Sequence, residues 1–532
     1  MHVNGREIGA TTVGALVGAV ARDAPPTAGL EIGGRRLSYA EIDDLSNQVA
    51  AGLLAIGTQK GDRVCSSMFS CMEGLLLWFG TVKIGAIWVP LNVGLIGEDL
   101  AYTLENTEAS ILVIDGHNRE KMDNPAVARQ LPSRRYFVGD AKPPGYEPFS
   151  TLLHAGGLVT SNEIGPEDPA VIIYTGGTTG MPKGVVLPHF AWICAGLRYI
   201  EALDPRPDDH HFSVGPMFHV SGLMAGIIGP MSARIPSTLE GTFSVSRFWD
   251  RVRETNASII DPVGSILVLL CRQPSSDADR THRVRVALGI TGQIPAEIPE
   301  QFTERFGIGL LNLYSLTEAG GLLIVNNPLG SSNPKANGKP SYWTEVQIVD
   351  ELGQSLPPKT LGNITLRPGV PYSFMLRYHN DPVGTLNAIT NLWLHTGDLG
   401  YLDDDGFLYF VGRQAHWLRR RGENISSFEV ESIIAKYPGV AEVAVIGVPS
   451  ELGEEEVKAF IVVAEAHEIE PENLIGWCVE RMATFKIPRF IEFISALPRS
   501  VTKGEIERHK LKALPNTSAW DRERVFGRRV SR

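Results

Sequence analysis

The sequence predicts an α/β protein of at least two domains, from its length, from an alternation of helix-like and strand-like segments, and from a change of texture in its last third. At 532 residues the chain exceeds the ~100 to 200 residues of a usual single domain, so more than one core is expected. From about residue 37, segments of helical period such as YAEIDDLSNQVAAGLLAIG alternate with short β-branched runs, RVCSSM, ILVID and AVIIYT. That alternation is the pattern of mixed, largely parallel sheets covered by helices. The longest apolar run, Gly74 to Gly80 with the TVKIGAIWVP that follows, is broken by Lys83 and by glycines. A buried helix and strand are expected there, and no membrane span.

Between roughly residues 340 and 412 the texture becomes short strands and turns, TEVQIVDELGQ, GNITLRPG and LWLHTGDLGYLDDDGFLYFVGR. These read as hairpins or a small β-barrel-like subdomain closing a large N-terminal domain over residues 1–415. After GRQAHWLRRRGENIS a small α+β domain, 416–532, is expected, with a helix at SSFEVESIIAKY, strands at VAEVAVIGVP and VKAFIVVA, and a helix at ENLIGWCVERM. The stretch from Pro515 is polar and arginine-rich, so loose packing is expected for it.

Composition excludes some functions. The net charge of −11, with 49 Lys and Arg among 60 Asp and Glu, offers no basic surface for nucleic acid. Five scattered cysteines without CxxC or Cys/His metal spacing read as reduced, small buried residues of a cytoplasmic protein. The N-terminal MHVNGREIGATTVGALVGAV is apolar only in part and is closed by Arg22 and Asp23, which argues against a signal peptide.

The chemistry begins at AVIIYTGGTTGMPKGVVLPH, residues 170–189, where an apolar strand runs into a Gly/Thr loop followed by Pro and Lys. Such a loop can wrap a polyphosphate: glycines let backbone N–H groups approach the anion, threonine hydroxyls add donors and a lysine adds charge. It is not a Walker A loop, because Lys183 follows Pro182 and precedes Gly184. A bare Gly/Thr cluster is commonly only a surface turn. The full string YTGGTTGMPKG, however, resembles the phosphate signature of the adenylate-forming superfamily of acyl-CoA synthetases, adenylation domains and luciferases. PMFHVSG at 216–222, LYSLTEAG at 313–320, HTGDLGYLDDDGFLYFVGR at 395–413 and GENISSFEVE at 422–431 follow in the family's order.

The resemblance implies an enzyme that forms an acyl-adenylate from a carboxylic acid and ATP with Mg²⁺, then transfers the acyl group to CoA as a small domain rotates. Residue by residue, it puts Thr175, Gly176, Gly177, Thr178, Thr179 and Lys183 around the phosphates, with Thr178 and Glu318 at the metal. Gly292 and Gln293 of GITGQ, with Tyr314 and Thr317, fall along the nucleotide, and Asp398 and Arg413 at the ribose. Arg419, Arg420, Arg421 and Gly422 of RRRGEN match a loop that meets CoA. Without that context Asp398 reads as a turn residue, Glu318 as a helix-start acid and the arginine run as a solvated face. His219 of FHVSG matches a position beside the substrate carboxyl, where amino-acid-activating relatives carry Asp to pair an ammonium. Histidine therefore points to a plain carboxylic acid, although a lone histidine beside an aromatic is commonly a satisfied core residue. Gly222, Ala225, Gly226, Gly320 and Gly321 suggest a roomy apolar pocket for a bulky hydrophobic acid. Past the last motif too few residues remain for a carrier domain, so a diffusible thiol is expected as acceptor. More narrowly, the chain is similar to actinobacterial ligases of diterpenoid antibiotic pathways of the platensimycin type.

One segment departs from the family. Members carry PRTxxGKI, whose lysine stabilises charge during adenylation, whereas this chain reads LPRSVTKGEIERHKLKA. Aligned on Gly504, Glu505 stands where the lysine belongs and Lys503 is a one-residue insertion. A carboxylate there repels the charge that an ammonium stabilises. Gly176 also replaces a serine of the phosphate signature. Three readings follow: a ligase strong at thioesterification and fed preformed adenylate by a separate adenylating enzyme, a complete ATP-dependent ligase using Lys503, or a non-catalytic nucleotide-binding relative.

Overall fold

A computed structural model gives the fold and describes the chain apart from residues 1, 4–5, 8, 142, 155–162, 176–181, 263, 290–296, 326–332, 334, 414–416, 421–422, 450–454, 483–485, 500–505, 516–517 and 527–532. It divides into two compact units, residues 1–396 with 401–410, and residues 397–400 with 411–532.

The first unit is built on two eight-stranded sheets. In one, the strands Ile87–Pro90, Arg63–Ser67, Ile111–Asp115 and Arg134–Val138 run parallel, and Lys183–Pro188 closes on Pro169–Thr175 as an antiparallel pair. In the other, His211–Ser213, Ile259–Ile260, Val286–Gly289 and Gly309–Leu316 are parallel neighbours. Antiparallel pairs sit at the ends of both, which makes the sheets mixed, as the alternation of segments predicts.

Helices fill the space against these sheets. Tyr39–Ala55 starts with a capping box in which Ser38 and Glu41 satisfy each other's backbone N–H. Met72–Lys83 and His189–Leu203 are buried nearly all round, the signature of interior helices. Trp78 stacks on Trp88 at 5.2 Å and meets Trp192 edge-on at 5.4 Å. The apolar run at 74–90 is thus a buried helix followed by the strand Ile87–Pro90. Lys83 at the helix end is tolerated because its ammonium lies 2.6 Å from Asp43 and bonds Ser46 and Asn47.

The segment from 340 to 412 forms a five-stranded sheet, Thr344–Val349, Gly362–Pro368, Trp393–Leu402 and Ile389–Thr390 in order, with Leu408–Arg413 beside Trp393–Leu402. Among the described residues this strand order is open rather than closed into a barrel.

The second unit contains the hairpin Trp417–Arg420/Glu423–Ser426, the helices Ser427–Ile434 and Pro471–Val479, and the long antiparallel pair Val440–Pro449/Glu455–Val463. The chain end departs from the expected loose packing. Trp520–Asp521 pairs with Phe490–Phe493 as a fourth strand, and the helix Arg522–Phe526 follows. Asp521 and Arg522 are 8 % and 4 % exposed, because their charges meet buried partners. No helix among the described residues is long and apolar enough to cross a membrane.

Candidate active site

Thr175 and Lys183 face each other across the antiparallel pair that flanks the Gly/Thr loop, so the two ends of that loop are fixed by a ladder. Thr175 Oγ1 donates to the Lys183 carbonyl at 3.5 Å. Gly184 permits a close third layer, since a Cβ there would stand 2.9 Å from Ile172 Cγ2 and 3.2 Å from His379 Cβ. The short strand Arg377–Tyr378 pairs alongside, with Tyr378 opposite Val185.

In the second sheet the strand Gly309–Leu316 ends in one 3₁₀ turn, Thr317–Ala319, released by Gly320 at φ 73°. Glu318 stands on that turn. Its carbonyl accepts the Met375 N–H at 2.7 Å, and its Oε1 accepts the Tyr378 hydroxyl at 2.9 Å. Lys183 Nζ lies 4.9 Å from the Tyr378 ring centroid and 3.8 Å from the Asp381 carboxylate. Two residues expected from separate motifs, Lys183 and Glu318, are therefore brought to one place by a third that no motif marked. Burial, then the Glu318 charge, push the Tyr378 phenol well above its ordinary range and keep it a donor.

Arg198 adds a second restraint from the helix His189–Leu203. It is buried, lies over Trp343 and donates to the Ala319 carbonyl at 3.2 Å. Tyr378 and Arg198 gave no sequence signal, since each meets Glu318 or its neighbour only through long-range packing. Asp381 did leave one: Asp before Pro reads as a helix start, and its side chain accepts the Gly384 N–H at 2.7 Å.

A hydrogen bond to a charged acceptor contributes ~1.5–3 kcal/mol. Tyr378→Phe should therefore slow ATP-dependent adenylation by about 10- to 100-fold, measured by pyrophosphate exchange. The preformed adenylate should react with CoA at nearly the wild-type rate.

Of the other expected residues, Thr317 is buried and its carbonyl closes the turn on Gly320. Tyr314 is buried with its ring 5.9 Å from Phe410. His219 is half-buried at the start of the short helix Val220–Leu223, and its Nδ1 lies 3.2 Å from the Ser221 N–H and 2.6 Å from the Ser221 hydroxyl. Accepting there puts the ring proton on Nε2. Gly176, Gly177, Thr178, Thr179, Gly292, Gln293, Arg421, Gly422, Lys503 and Glu505 lie outside the described residues, as does the Arg413 side chain. Asp398 is buried on the strand Trp393–Leu402, in the segment grouped with the second unit.

Arg420 is 2 % exposed, 2.7 Å from Glu456, and donates to the Ile487 carbonyl at 3.2 Å. The period of two in Trp417–Arg420 turns Leu418 and Arg420 inward together.

The glycines near His219 do not open a roomy pocket. A Cβ on Gly222 would meet the Gly215 and Pro216 carbonyls at 2.5 Å, one on Gly226 would meet Leu239 at 2.9 Å, and one on Gly321 would meet Met224 Sδ at 2.8 Å. They let backbones and side chains close up. Gly222→Ala should accordingly destabilise the first unit by ~1–3 kcal/mol, read as a lower urea midpoint. Beside Met217 and Phe218, with Met68, Phe69, Trp88 and Leu91 around it, a cavity of only about 10 Å³ remains, room for about one water molecule.

The Glu318 site suits a hard cation. Mg²⁺ is commonly held by one or two carboxylates plus substrate phosphates rather than by a protein cage. Glu318, beside the Tyr378 hydroxyl and the lysine end of the Gly/Thr loop, offers that oxygen chemistry. Glu318 would hold the ion, which would supply charge neutralisation to the phosphates.

Comparison with known proteins gives the family. Residues 19–378 match the AMP-binding enzyme family and residues 429–503 match the AMP-binding enzyme C-terminal domain. A crotonobetaine/carnitine–CoA ligase of Salmonella typhi is 32 % identical over 489 residues, 90 % of this chain and 93 % of that one. Among solved structures, ATP-bound MatB from Rhodopseudomonas palustris is 26 % identical with a TM-score of 0.82, covering 93 % of this chain and 98 % of its own. The o-succinylbenzoate CoA synthetase MenE of Bacillus subtilis, in complex with its acyl-adenylate intermediate, is 25 % identical with a TM-score of 0.81, covering 94 % and 98 %. The chain belongs to the AMP-binding enzyme family, as an acid–thiol ligase of the acyl-CoA ligase type.

Proposed function

We propose that this ligase is specialised for the second half-reaction: it takes a preformed acyl-adenylate of a hydrophobic carboxylic acid, made by a separate adenylating enzyme, and transfers the acyl group to CoA. The observation that carries the reading is the anchoring on both sides of residues 500–505, which themselves lie outside the described residues. Arg499 bridges Ile506, the Glu507 N–H donates to the Pro498 carbonyl at 2.8 Å, and Arg508 makes a two-oxygen ion pair with Glu431 at 2.7 and 2.9 Å. On this reading Ile506 is the counterpart of the isoleucine in the family's GKI, and the residue before it is Glu505. In the family, that place holds the ammonium of adenylation; here it holds a carboxylate, which opposes attack of one anion on another.

For the acid, the side chains around the small cavity beside Met217 and Phe218 favour an apolar group, since they are apolar apart from Ser66 and include no carboxylate; at about 10 Å³ the cavity would have to open to admit one. Bulk is a weaker part of the reading, because the glycines that suggested it are spent on close packing. Polycyclic acids of platensimycin-type antibiotic pathways are one class that fits the apolar lining. Within the site, Lys183 and Glu318 hold the phosphate side, Tyr378 and Arg198 keep Glu318 in place, and His219 faces the acyl carboxyl end.

The rival reading, a complete ATP-dependent ligase, rests on Lys503 in the same segment. Lys503→Ala separates the two. On the proposed reading it leaves ATP-dependent thioester formation at its already low level, and a loss of a hundredfold or more, the order expected for one transition-state charge donor, would establish the rival.

A further inference from the structure

The chain end belongs to the machinery of the second unit, although it lies beyond the 429–503 span of the family's C-terminal domain. Two arginines from opposite ends of that unit converge on one backbone carbonyl. Arg420, from the hairpin Trp417–Arg420/Glu423–Ser426, donates to Ile487 O at 3.2 Å, and Arg522, from the terminal helix, donates to the same oxygen at 3.1 Å. Both guanidiniums are buried, at 2 % and 4 % exposure.

Their surroundings are charged and closed. Glu456, 3 % exposed, lies 2.7 Å from Arg420 and 4.0 Å from Arg489, and Arg489 reaches Asp521 at 3.2 Å and Glu523 at 3.6 Å. The Arg522 N–H returns to the Arg489 carbonyl at 2.9 Å. Ser518 and Trp520 add bonds to Glu492 and Glu472 at 2.9 and 3.1 Å. Buried charges in such a cluster are mutually dependent, because removing one leaves its partner uncompensated. A surface tail has no need of a buried arginine. A strap that fixes the loop under the hairpin does.

We infer that Arg522, carried by the terminal strand and helix, is a positioning residue for the strand pair Trp417–Arg420/Glu423–Ser426, which carries the RRRGEN motif. It acts by sharing the Ile487 carbonyl with Arg420, so that the hairpin and the chain end are held to one point. Resting on the proposed CoA transfer, the inference further assigns Arg522 to the CoA step and not to the handling of the nucleotide.

The test uses the full chain with Arg522→Met, which keeps length but loses the donors and charge, and Arg522→Lys, which keeps the charge. Amide hydrogen exchange is followed over 417–426 and over the strands 440–463, and thioester formation is followed from a synthetic acyl-adenylate over a range of CoA concentrations. Arg522→Met should speed exchange in 417–426 by roughly tenfold or more, the loss of about one buried charged hydrogen bond. Exchange in 440–463 should stay unchanged, KM for CoA should rise by a similar factor with little change in kcat, and Arg522→Lys should recover part of both effects. Unchanged exchange in 417–426 overturns the inference. So does a rise spread equally over 440–463 in both variants, which would make Arg522 a general stabiliser. If the wild-type protein makes no thioester from adenylate and CoA, the functional reading fails, while the exchange comparison still decides whether Arg522 holds the hairpin.

Discussion

Glu318→Gln lowers the residual ATP-dependent adenylation by about 10²- to 10³-fold, the loss expected when one preorganised electrostatic group is removed from a phosphoryl-side transition state. The substitution is nearly isosteric and keeps an acceptor for the Tyr378 hydroxyl, which bonds Oε1 at 2.9 Å. The backbone restraints at Met375 N and Ala319 O are untouched. What it removes is the negative charge that answers the metal. Pyrophosphate exchange and its dependence on Mg²⁺ concentration should report the loss, and a higher Mg²⁺ requirement should accompany it. Thioester formation from a synthetic acyl-adenylate expels AMP and breaks no bond to pyrophosphate, so it should fall far less. Equal losses in both reactions would mean that Glu318 supports the fold of the site rather than the phosphates.

Glu505→Lys raises adenylation. At 4 Å and an effective dielectric of 20, a charge pair interacts by about 4 kcal/mol, and exchanging a carboxylate for an ammonium reverses that sign at the attacking oxygens. An increase of about two powers of ten in pyrophosphate exchange is expected. Glu505→Gln removes the repulsion without adding attraction and should give a smaller increase. Combining Lys503→Ala with Glu505→Lys should keep the gain, because Lys503 stands two residues from the restored position. If the double substitution loses it, Lys503 is the working ammonium and the register at Ile506 does not place the family's lysine at 505.

The parts of this protein legible in its sequence are those written in local pattern. Ser38 and Glu41 announce the start of the helix Tyr39–Ala55, and the β-branched run AVIIYT is the strand that ends at the phosphate loop. Lys183 and Glu318 were legible as members of ordered motifs. Their meeting through Tyr378 was not, because a tyrosine in an otherwise ordinary strand stretch becomes informative only when two sheets bring it to a carboxylate.

Arg420 and the chain end show the opposite error. An arginine run suggests solvent, and an arginine-rich terminus suggests a loose tail, yet Arg420 and Arg522 lie buried because Glu456 and the Ile487 carbonyl receive them. Composition reports average partners and cannot see a particular one. Glycines mislead in a related way: Gly222 and Gly226 suggested empty space, but a small residue equally marks the place where two chains come too close for a Cβ.

The most direct test of the central claim is a paired assay. A panel of hydrophobic carboxylic acids is supplied with ATP, Mg²⁺ and CoA, and the matching synthetic acyl-adenylates are supplied with CoA alone. The account predicts CoA thioester from the adenylates at a rate at least a hundredfold above that from the free acids, the order of one missing charge donor. Comparable rates from both would contradict it and make the protein a complete ATP-dependent ligase.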